Sequence, residues 1–341
     1  MLLPTSKTFT RADVSLAGGS QLAELTLAYE TFGTLADDGN NAILLCHGYT
    51  SHPHAGGDAD GWFANLMGSG KVVDTDNYFV VCSNMLGSAY GSSGPASIDP
   101  ATGQPYGPDF PTYSTTDMIA AQHALIEHLG VGQLAAVMGY SYGGHLTYLW
   151  GCTYPDRMRA LVPIAGVIER KTTVADIDTL RSRFATCPGW NGGRYYGREK
   201  ESGVHDMMVN IRAETLSNYG IGKHLGDTLG DSAARDARIA EQAETWAEAF
   251  DANALIKLSE AGIGSSAVPK AGAIKAPLMH VLSRSDSVVP VSLGPATVEM
   301  LRAKGVDASF VEIPSDYGHA GPMIDADLWS GSLRDFLDKS A

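Results

Sequence analysis

The chain has 341 residues, of which 44% are apolar, and its 24 lysines and arginines against 38 aspartates and glutamates give a formal charge of −14. Such an acidic chain lacks the positive surface that polyanions bind, which argues against nucleic acid and anionic membranes as partners. The apolar fraction suffices for a sizeable core, and the length fits two domains or one α/β domain with a large insertion.

Short apolar runs alternate with longer helical patterns, which is typical of an α/β protein with a mostly parallel sheet and helices on both faces. The first two strands, near residues 9–16 and 25–31, are expected to form an antiparallel edge. Six further runs are almost continuously apolar, as expected for strands covered on both faces. These six strands are predicted at residues 42–46, 78–82, 135–138, 161–164, 278–282 and 309–313.

Residues 84–113 are rich in Gly, Ser, Pro and Asn, which predicts a long loop made of turns. Loops of this length commonly line functional sites. Ser114 and Asp117 then form a capping-box pattern, which predicts the start of a helix.

Strand patterns stop near residue 167 and resume near residue 276. Within the intervening block, residues 231–250 carry apolar side chains at helical spacing, on Ile239, Ala243, Trp246 and Phe250. We interpret residues 167–275 as a helical lid inserted into one α/β domain, whose two parts are residues 1–166 and 276–341. Glycine-rich residues 220–226 lie inside this block and do not follow a strand, so we interpret them as a turn and not as a nucleotide-binding loop.

The four cysteines are far apart and form no C-x-x-C pair, so they predict buried small side chains and neither a disulfide framework nor a zinc site. They are Cys46, Cys82, Cys152 and Cys187. The first residues contain no apolar core of a signal peptide, and no run of about 18 apolar residues occurs. We therefore expect a cytoplasmic protein without a membrane partner.

The pentapeptide G-Y-S-Y-G, Gly139 to Gly143, follows a predicted strand and precedes a helical pattern. A G-x-S-x-G sequence in this position forms a sharp turn that exposes the serine hydroxyl at its apex. Ser141 is therefore the candidate nucleophile. The alternative is a glycine turn with a spectator serine.

A serine nucleophile needs a general base, and the base needs an orienting carboxylate. Asp286 follows the strand L-M-H-V-L, and His319 follows the strand S-F-V-E-I, so both are expected at the carboxyl edge of the sheet. Asp316 is the second candidate for the acid, although it lies close to His319 in one short loop. Three other histidines fall on helical patterns and are interpreted as structural: His123, His128 and His145.

The oxyanion of a tetrahedral intermediate needs two N–H donors, one after the nucleophile and one in the loop after an early strand. These positions are Tyr142 and, in the segment C-H-G-Y-T, Tyr49. A metal site is the alternative interpretation of the second loop, but no metal-binding motif accompanies its His and Asp side chains, so we expect neither a metal nor a cofactor. The side chains concerned are His47, His52, His54, Asp58 and Asp60.

Nearly the whole chain resembles the homoserine O-acetyltransferase family of α/β-hydrolases. The most specific stretches are Y-F-V-V-C-S-N-M-L-G-S-A-Y-G-S-S-G-P, G-Q-P-Y-G-P-D-F-P and D-M-I-A-A-Q-H-A-L-I-E-H-L-G-V. The resemblance implies an eight-stranded α/β-hydrolase core, a helical lid, an acyl-serine intermediate and a homodimer joined through the lids. It places the triad on Ser141, Asp286 and His319 and the oxyanion donors on Tyr49 and Tyr142.

Two motifs separate this chain from the family pattern. At the serine, the family pattern is G-G-S-M-G-G. At the histidine it is G-H-D, and the acidic residue of this motif holds the amino group of homoserine. This chain has Ala320 in place of that acidic residue. Arg212 and Tyr219 keep the family's spacing, and the arginine resembles the one that binds the substrate carboxylate. The alternative for Arg212 is a solvent-facing side chain on a lid helix.

These features predict a serine esterase that hydrolyses small acyl esters, with acetate esters first. The alternative is an O-acetyltransferase that moves an acetyl group from acetyl-CoA to homoserine or another small alcohol. Both reactions pass through the same acyl-enzyme, so the motifs do not separate them. A third interpretation is a catalytically inactive α/β-hydrolase that serves as a binding module.

Overall fold

The computed structural model describes residues 6–340, and a mixed sheet of eight strands forms its centre. Two short strands form a separate hairpin in the long glycine-rich loop. The strands are β1 (Lys7–Ser15), β2 (Gln21–Phe32), β3 (Ala42–Cys46), β4 (Phe79–Ser83), β5 (Ile98–Asp99), β6 (Gln104–Pro105), β7 (Leu134–Tyr140), β8 (Leu161–Ile164), β9 (Leu278–Ser283) and β10 (Ala308–Ile313).

The central sheet has the order β1-β2-β4-β3-β7-β8-β9-β10. β1 and β2 pair antiparallel with each other, β2 pairs antiparallel with β4, and the remaining pairs are parallel. The predicted fold class and antiparallel edge are therefore confirmed. β10 differs from the expectation of full burial: Phe310 and Val311 are half-buried, because β10 has a partner strand on one side only.

Ten helices accompany the sheet within residues 6–340. They are α1 (Thr115–His128), α2 (Tyr142–Thr153), α3 (Val174–Ala185), α4 (Val204–Asn218), α5 (Ile221–Leu229), α6 (Ser232–Ala249), α7 (Ala252–Ala261), α8 (Leu293–Ala303), α9 (Gly321–Ile324) and α10 (Ser330–Lys339). The predicted capping box begins α1, since the backbone N–H of Ser114 donates to Asp117 at 2.8 Å and that of Asp117 donates to the Ser114 hydroxyl at 3.4 Å. None of the helices in this part of the chain is both long and apolar enough to cross a membrane.

The segment between β8 and β9 is helical, as its periodicity predicts, and contains α3 to α7. The predicted apolar face of α6 is buried. The prediction of a turn at residues 220–226 is wrong, because α5 begins at Ile221 and continues to Leu229. Gly220 precedes this helix with a φ of 91°, and a Cβ there would lie 2.2 Å from the carbonyl oxygen of Tyr317. The glycine is thus needed for a close backbone contact.

The core has two layers, one on each face of the sheet. In β3, Leu44 packs in one layer, while Ile43 and Leu45 pack in the other. Trp150 of α2 belongs to the first layer and Trp329, just before α10, belongs to the second. Because each fully buried aliphatic side chain contributes about 1.5–3 kcal/mol, both faces of a central strand favour apolar residues. The four cysteines are buried and free, as predicted.

Candidate active site

Ser141 lies in a sharp turn between β7 and α2. Its φ of 56° and ψ of −111° are unusual for a residue with a side chain and cost about 1–3 kcal/mol. A Cβ on Gly139 would lie 2.0 Å from the carbonyl oxygen of Gly143, and a Cβ on Gly143 would lie 1.9 Å from that of Cys46. Both glycines of the motif are therefore required by close backbone packing, which holds the strained turn.

The structure brings Ser141, His319 and Asp286 together. The ring Nε2 of His319 lies 2.8 Å from the serine Oγ, and its Nδ1 lies 2.7 Å from Asp286 Oδ2. The side chains of His319 and Asp286 are fully buried. This geometry lets Nδ1–H donate to the carboxylate, so that Nε2 can accept a proton from the serine hydroxyl.

Asp286 is held in place by the backbone after β9. Its Oδ1 accepts hydrogen bonds from the N–H groups of Val288 at 2.8 Å and Val289 at 3.0 Å. The other candidate acid, Asp316, instead pairs with Arg284 at 2.8 Å on the surface. Of the two acids that the sequence offers, the structure therefore places Asp286 against the imidazole.

Several neighbours fix the loop that carries His319. The hydroxyl of Tyr140 donates to the backbone carbonyl of His319 at 2.8 Å, and the Ser285 hydroxyl accepts from the N–H of Gly318 at 2.9 Å. The N–H of Ala320 donates to the carbonyl of Tyr219 at 2.9 Å. The histidine loop is thus tied to the serine turn, to the loop after β9 and to the end of α4.

Tyr49 and Tyr142, the predicted oxyanion residues, lie side by side with ring centroids 5.9 Å apart. Tyr142 is the first residue of α2, where a backbone N–H has no partner within its own helix. Their hydroxyls bond to α7: Tyr142 donates to the carbonyl of Leu258 at 3.0 Å, and Tyr49 bonds to Leu255 and Ser259. Burial raises the pKa of Tyr142 to about 12, so its hydroxyl remains a neutral donor.

The histidines near Tyr49 do not form a metal site. His47 lies 2.7 Å from the carbonyl of Gly48 through Nδ1, and its Nε2 accepts from the N–H of Met85 at 3.2 Å. Burial lowers the pKa of His47 to about 4, so the ring is neutral. The two nitrogens of His54 each bond to a different carboxylate at 2.8 Å, from Glu30 and Asp58. Within residues 6–340, no three potential ligands in this loop converge on one point.

The histidines assigned to helices have structural partners. His145 binds the carbonyl of Val167 at 2.9 Å and the Ser265 hydroxyl at 2.7 Å. His123 stacks on Tyr154 with ring centroids 4.1 Å apart.

Arg212 of α4 lies beside the loop after β3 and is not solvent-facing. Its Nη1 donates to the Thr50 hydroxyl at 3.1 Å, and its guanidinium carbon lies 5.3 Å from the ring centroid of Trp246. Its Nε has no hydrogen-bond partner, and no carboxylate of residues 6–340 forms an ion pair with it. Burial lowers the pKa of Arg212, which reflects the cost of holding this cation away from water.

Tyr219, at the end of α4, contacts the candidate base directly. Its ring meets that of His319 edge-on, with centroids 4.7 Å apart. The neighbouring Ala320 is buried and presents a methyl group where the family pattern has an acid. Of the two predicted substrate residues, Tyr219 therefore borders the histidine.

Sequence reasoning did not predict the contacts that three residues make at this site. Tyr140 supports the histidine loop, Trp246 faces Arg212 and donates its indole N–H to the carbonyl of Thr50 at 3.0 Å, and His52 packs against Tyr90 with its Nδ1 unpaired. Burial, with smaller effects of neighbouring cations, lowers the pKa of His52 to about 4. Tyr140 stands inside the serine motif, but its partner is revealed only by the folded chain.

The chain is similar to known enzymes that act on acyl groups. Residues 41–325 match the family described as the alpha/beta hydrolase fold. The chain is 36% identical to homoserine O-acetyltransferase of Symbiobacterium thermophilum, over 95% of this chain and 91% of that relative. It is 34% identical to homoserine O-acetyltransferase of Haemophilus influenzae, over 96% of this chain and 97% of the relative.

Solved structures of both a hydrolase and a transferase resemble this one. Esterase E22 superposes with a TM-score of 0.86 at 26% identity, covering 97% of this chain and 99% of that chain. Homoserine O-acetyltransferase of Bacillus anthracis superposes with a TM-score of 0.85 at 25% identity, covering 98% and 97%. The similarity supports an enzyme that moves acyl groups, either to water or to another acceptor. The names of the full-length relatives favour the transferase more than the predicted esterase.

Proposed function

The chain belongs to the homoserine O-acetyltransferase family of α/β-hydrolases, and from this premise we propose that it is an acyltransferase that works through an acyl-serine. Ser141 attacks the carbonyl carbon of the acyl donor while His319 takes the hydroxyl proton. Asp286 holds the imidazole and stabilises its positive charge. The N–H groups of Tyr49 and Tyr142 bind the oxyanion, and His319 then protonates the leaving thiol or alcohol.

The second half of the reaction needs an acceptor hydroxyl. His319 takes the proton of that hydroxyl, whose oxygen attacks the acyl-serine, and collapse of the second tetrahedral intermediate returns the proton to Ser141. The donor's acyl group thus becomes an ester of the acceptor. We propose that residues 167–275 act as the lid over this site, because the end of α4 bonds to the histidine loop and the middle of α7 bonds to Tyr142.

The surroundings of Arg212 are the main reason for the acceptor that we propose. A buried cation without a counter-ion is unfavourable, whereas a bound carboxylate would pair with it and satisfy its free Nε. The nearby unpaired Nδ1 of His52 is a second polar atom that a ligand would satisfy. We therefore propose that the acceptor is a small alcohol that carries a carboxylate.

Ala320 concerns the amino group of the acceptor. A methyl group cannot pair with the ammonium of an amino acid, and an unpaired buried charge costs roughly 2–5 kcal/mol. We therefore propose that a hydroxy acid without an amino group is a better acceptor than homoserine.

A series of three acceptors tests this proposal. 4-Hydroxybutanoate keeps the hydroxyl and carboxylate of homoserine but lacks its ammonium, and 3-aminopropanol keeps the hydroxyl and ammonium but lacks the carboxylate. With acetyl-CoA as donor, we expect ester formation in the order 4-hydroxybutanoate, L-homoserine, 3-aminopropanol, and none with Ser141→Ala. Equal rates for all three acceptors would contradict recognition by Arg212.

An esterase is the second candidate, favoured by the same methyl group at Ala320 and by the similarity to esterase E22. In this case water replaces the acceptor alcohol, and His319 activates it in the same way. Acetate release from simple alkyl acetates that exceeds every acceptor reaction would support this candidate. The inactive binding module would be supported if Ser141 failed to react with a fluorophosphonate probe.

We also propose a homodimer joined through residues 167–275. Helix α5 within this segment has no fully buried residue, and Leu229 at its end is 45% exposed, so an apolar edge remains available for a second copy. Light scattering on a sizing column tests it: the mass of two chains is expected, and the mass of one chain would refute it.

A further inference from the structure

Three potential metal ligands meet where α4 packs against α6. They are His205 of α4 and, one helical turn apart on α6, Glu244 and Glu248. One nitrogen of the histidine and one oxygen of each carboxylate all lie within 4.8 Å of one another. Side chains whose ligand atoms lie this close can converge on one small ion by small rotations.

The histidine distinguishes this cluster from ordinary surface acids. Only 6% of His205 is exposed, and its Nε2 is buried without a hydrogen-bond partner among residues 6–340. This atom faces the cluster, 3.4 Å from Glu244 Oε1. A buried polar atom without a partner costs about 1–3 kcal/mol, a cost that a metal ion at this position would remove.

The opposite nitrogen of the same ring also faces a carboxylate. His205 Nδ1 lies 3.6 Å from Asp206 Oδ1. Histidines that bind metals commonly direct their second nitrogen at a carboxylate, which orients the ring and increases its basicity.

The two glutamates carry like charges one turn apart on α6. Like charges at this spacing repel each other, and Lys200 is one nearby cation, whose Nζ lies 3.4 Å from Glu248 Oε1. Both glutamates are about half exposed, and Glu248 lines a cavity of about 720 Å³ together with His205. This cavity would give an ion access to the cluster and leave room for a water ligand.

We propose that His205, Glu244 and Glu248 bind a divalent transition-metal ion of the Zn²⁺ type, with water as the fourth ligand. The imidazole nitrogen favours Zn²⁺ over Mg²⁺ or Ca²⁺, which prefer oxygen ligands. The ion ties α4 to α6. Because α4 also carries Arg212 and α6 carries Trp246, the metal stabilises the pair of helices that presents the guanidinium.

Calorimetric titration of metal-free protein with Zn²⁺ tests the proposal. Binding of one ion per chain is expected, with no comparable binding of Mg²⁺. Glu248→Gln and His205→Gln are each expected to weaken binding about tenfold or more. Glu241→Gln is the matched control, since Glu241 is an exposed acid of the same helix that pairs with Arg238.

The visible absorption of bound Co²⁺ is a second measurement, and it reports directly on the metal ligands. Intense visible absorption typical of a four-coordinate site is expected for the wild type and for Glu241→Gln, and its loss is expected for Glu248→Gln. Fluorophosphonate labelling of Ser141 verifies that each variant is folded. Absence of Zn²⁺ binding, or equal binding by the wild type and both ligand variants, would overturn the proposal without affecting the proposed acyl transfer.

Discussion

The hydroxyl of Tyr140 donates a 2.8 Å hydrogen bond to the backbone carbonyl of His319. Tyr140 immediately precedes Ser141, so the serine turn itself holds the loop that carries the candidate base. The two rings also lie close, with centroids 5.2 Å apart. We infer that Tyr140 is a positioning residue, which sets the distance between the serine and the imidazole.

Replacing Tyr140 with Phe tests this role. The variant loses one buried hydrogen bond, worth about 1 kcal/mol, so we expect kcat for p-nitrophenyl acetate to fall about 3- to 10-fold with KM nearly unchanged. Tyr148→Phe is the control, because the buried hydroxyl of Tyr148 forms no hydrogen bond within the described part of the chain. Equal losses in both variants would indicate a general packing effect and contradict the positioning role.

Matched substitutions of Asp286 and Asp316 test which of the two candidate acids orients His319. Asp286→Asn removes the charge that holds His319 and favours the wrong tautomer, so we expect kcat to fall by about 10³- to 10⁴-fold. Asp316→Asn breaks a surface ion pair with Arg284 and is expected to retain nearly full activity. Steady-state kinetics of both variants decide the assignment, and the reverse pattern would refute it.

Arg212→Gln tests recognition of the acceptor carboxylate. A charge-assisted hydrogen bond contributes about 1.5–3 kcal/mol, so we expect kcat/KM for 4-hydroxybutanoate to fall at least about 10-fold. The rate with a neutral acceptor such as 1-butanol is expected to change little. Arg183→Gln is the control, since Arg183 pairs with Glu214 on the surface of the helical segment. A similar loss for both acceptors would mean that Arg212 stabilises the helical segment and does not bind the carboxylate.

Ala320→Asp tests the proposed preference for an acceptor without an amino group. A carboxylate at this position can pair with the acceptor's ammonium, so we expect the ratio of kcat/KM for L-homoserine to that for 4-hydroxybutanoate to rise about 10-fold or more. Ala320→Asn has nearly the same size without the charge and should leave the ratio near its original value. An unchanged ratio in the Asp variant would show that the ammonium does not lie beside residue 320.

Much of the fold and site could be predicted because both depend on local patterns. β3 is apolar at every position, since its two faces pack in the two layers of the core, and such a run is visible in the sequence. Ser141, Asp286 and His319 were identifiable because each follows a strand whose carboxyl end lies at the same edge of the sheet.

The features that could not be predicted depend on contacts between distant segments. The glycines of residues 220–226 suggest a turn, yet α5 forms there, supported by the 2.6 Å pair of Lys223 with Asp227 and by packing on α6. The contact of Tyr140 with His319 joins residues 179 positions apart. The absence of an ion pair between Arg212 and an acid of residues 6–340 depends on how α4 packs against the rest of the fold.

The fate of the acetyl group on Ser141 is the most direct test of the proposed acyl transfer. p-Nitrophenyl acetate acylates the serine without coenzyme A, and the acetyl group then partitions between water and an added alcohol. If the account is correct, 4-hydroxybutanoate accelerates p-nitrophenol release and the acetyl group is recovered mainly as its ester, with little free acetate. If release is unchanged by the acceptor and the acetyl group is recovered as acetate, the protein is a hydrolase and the central claim is wrong.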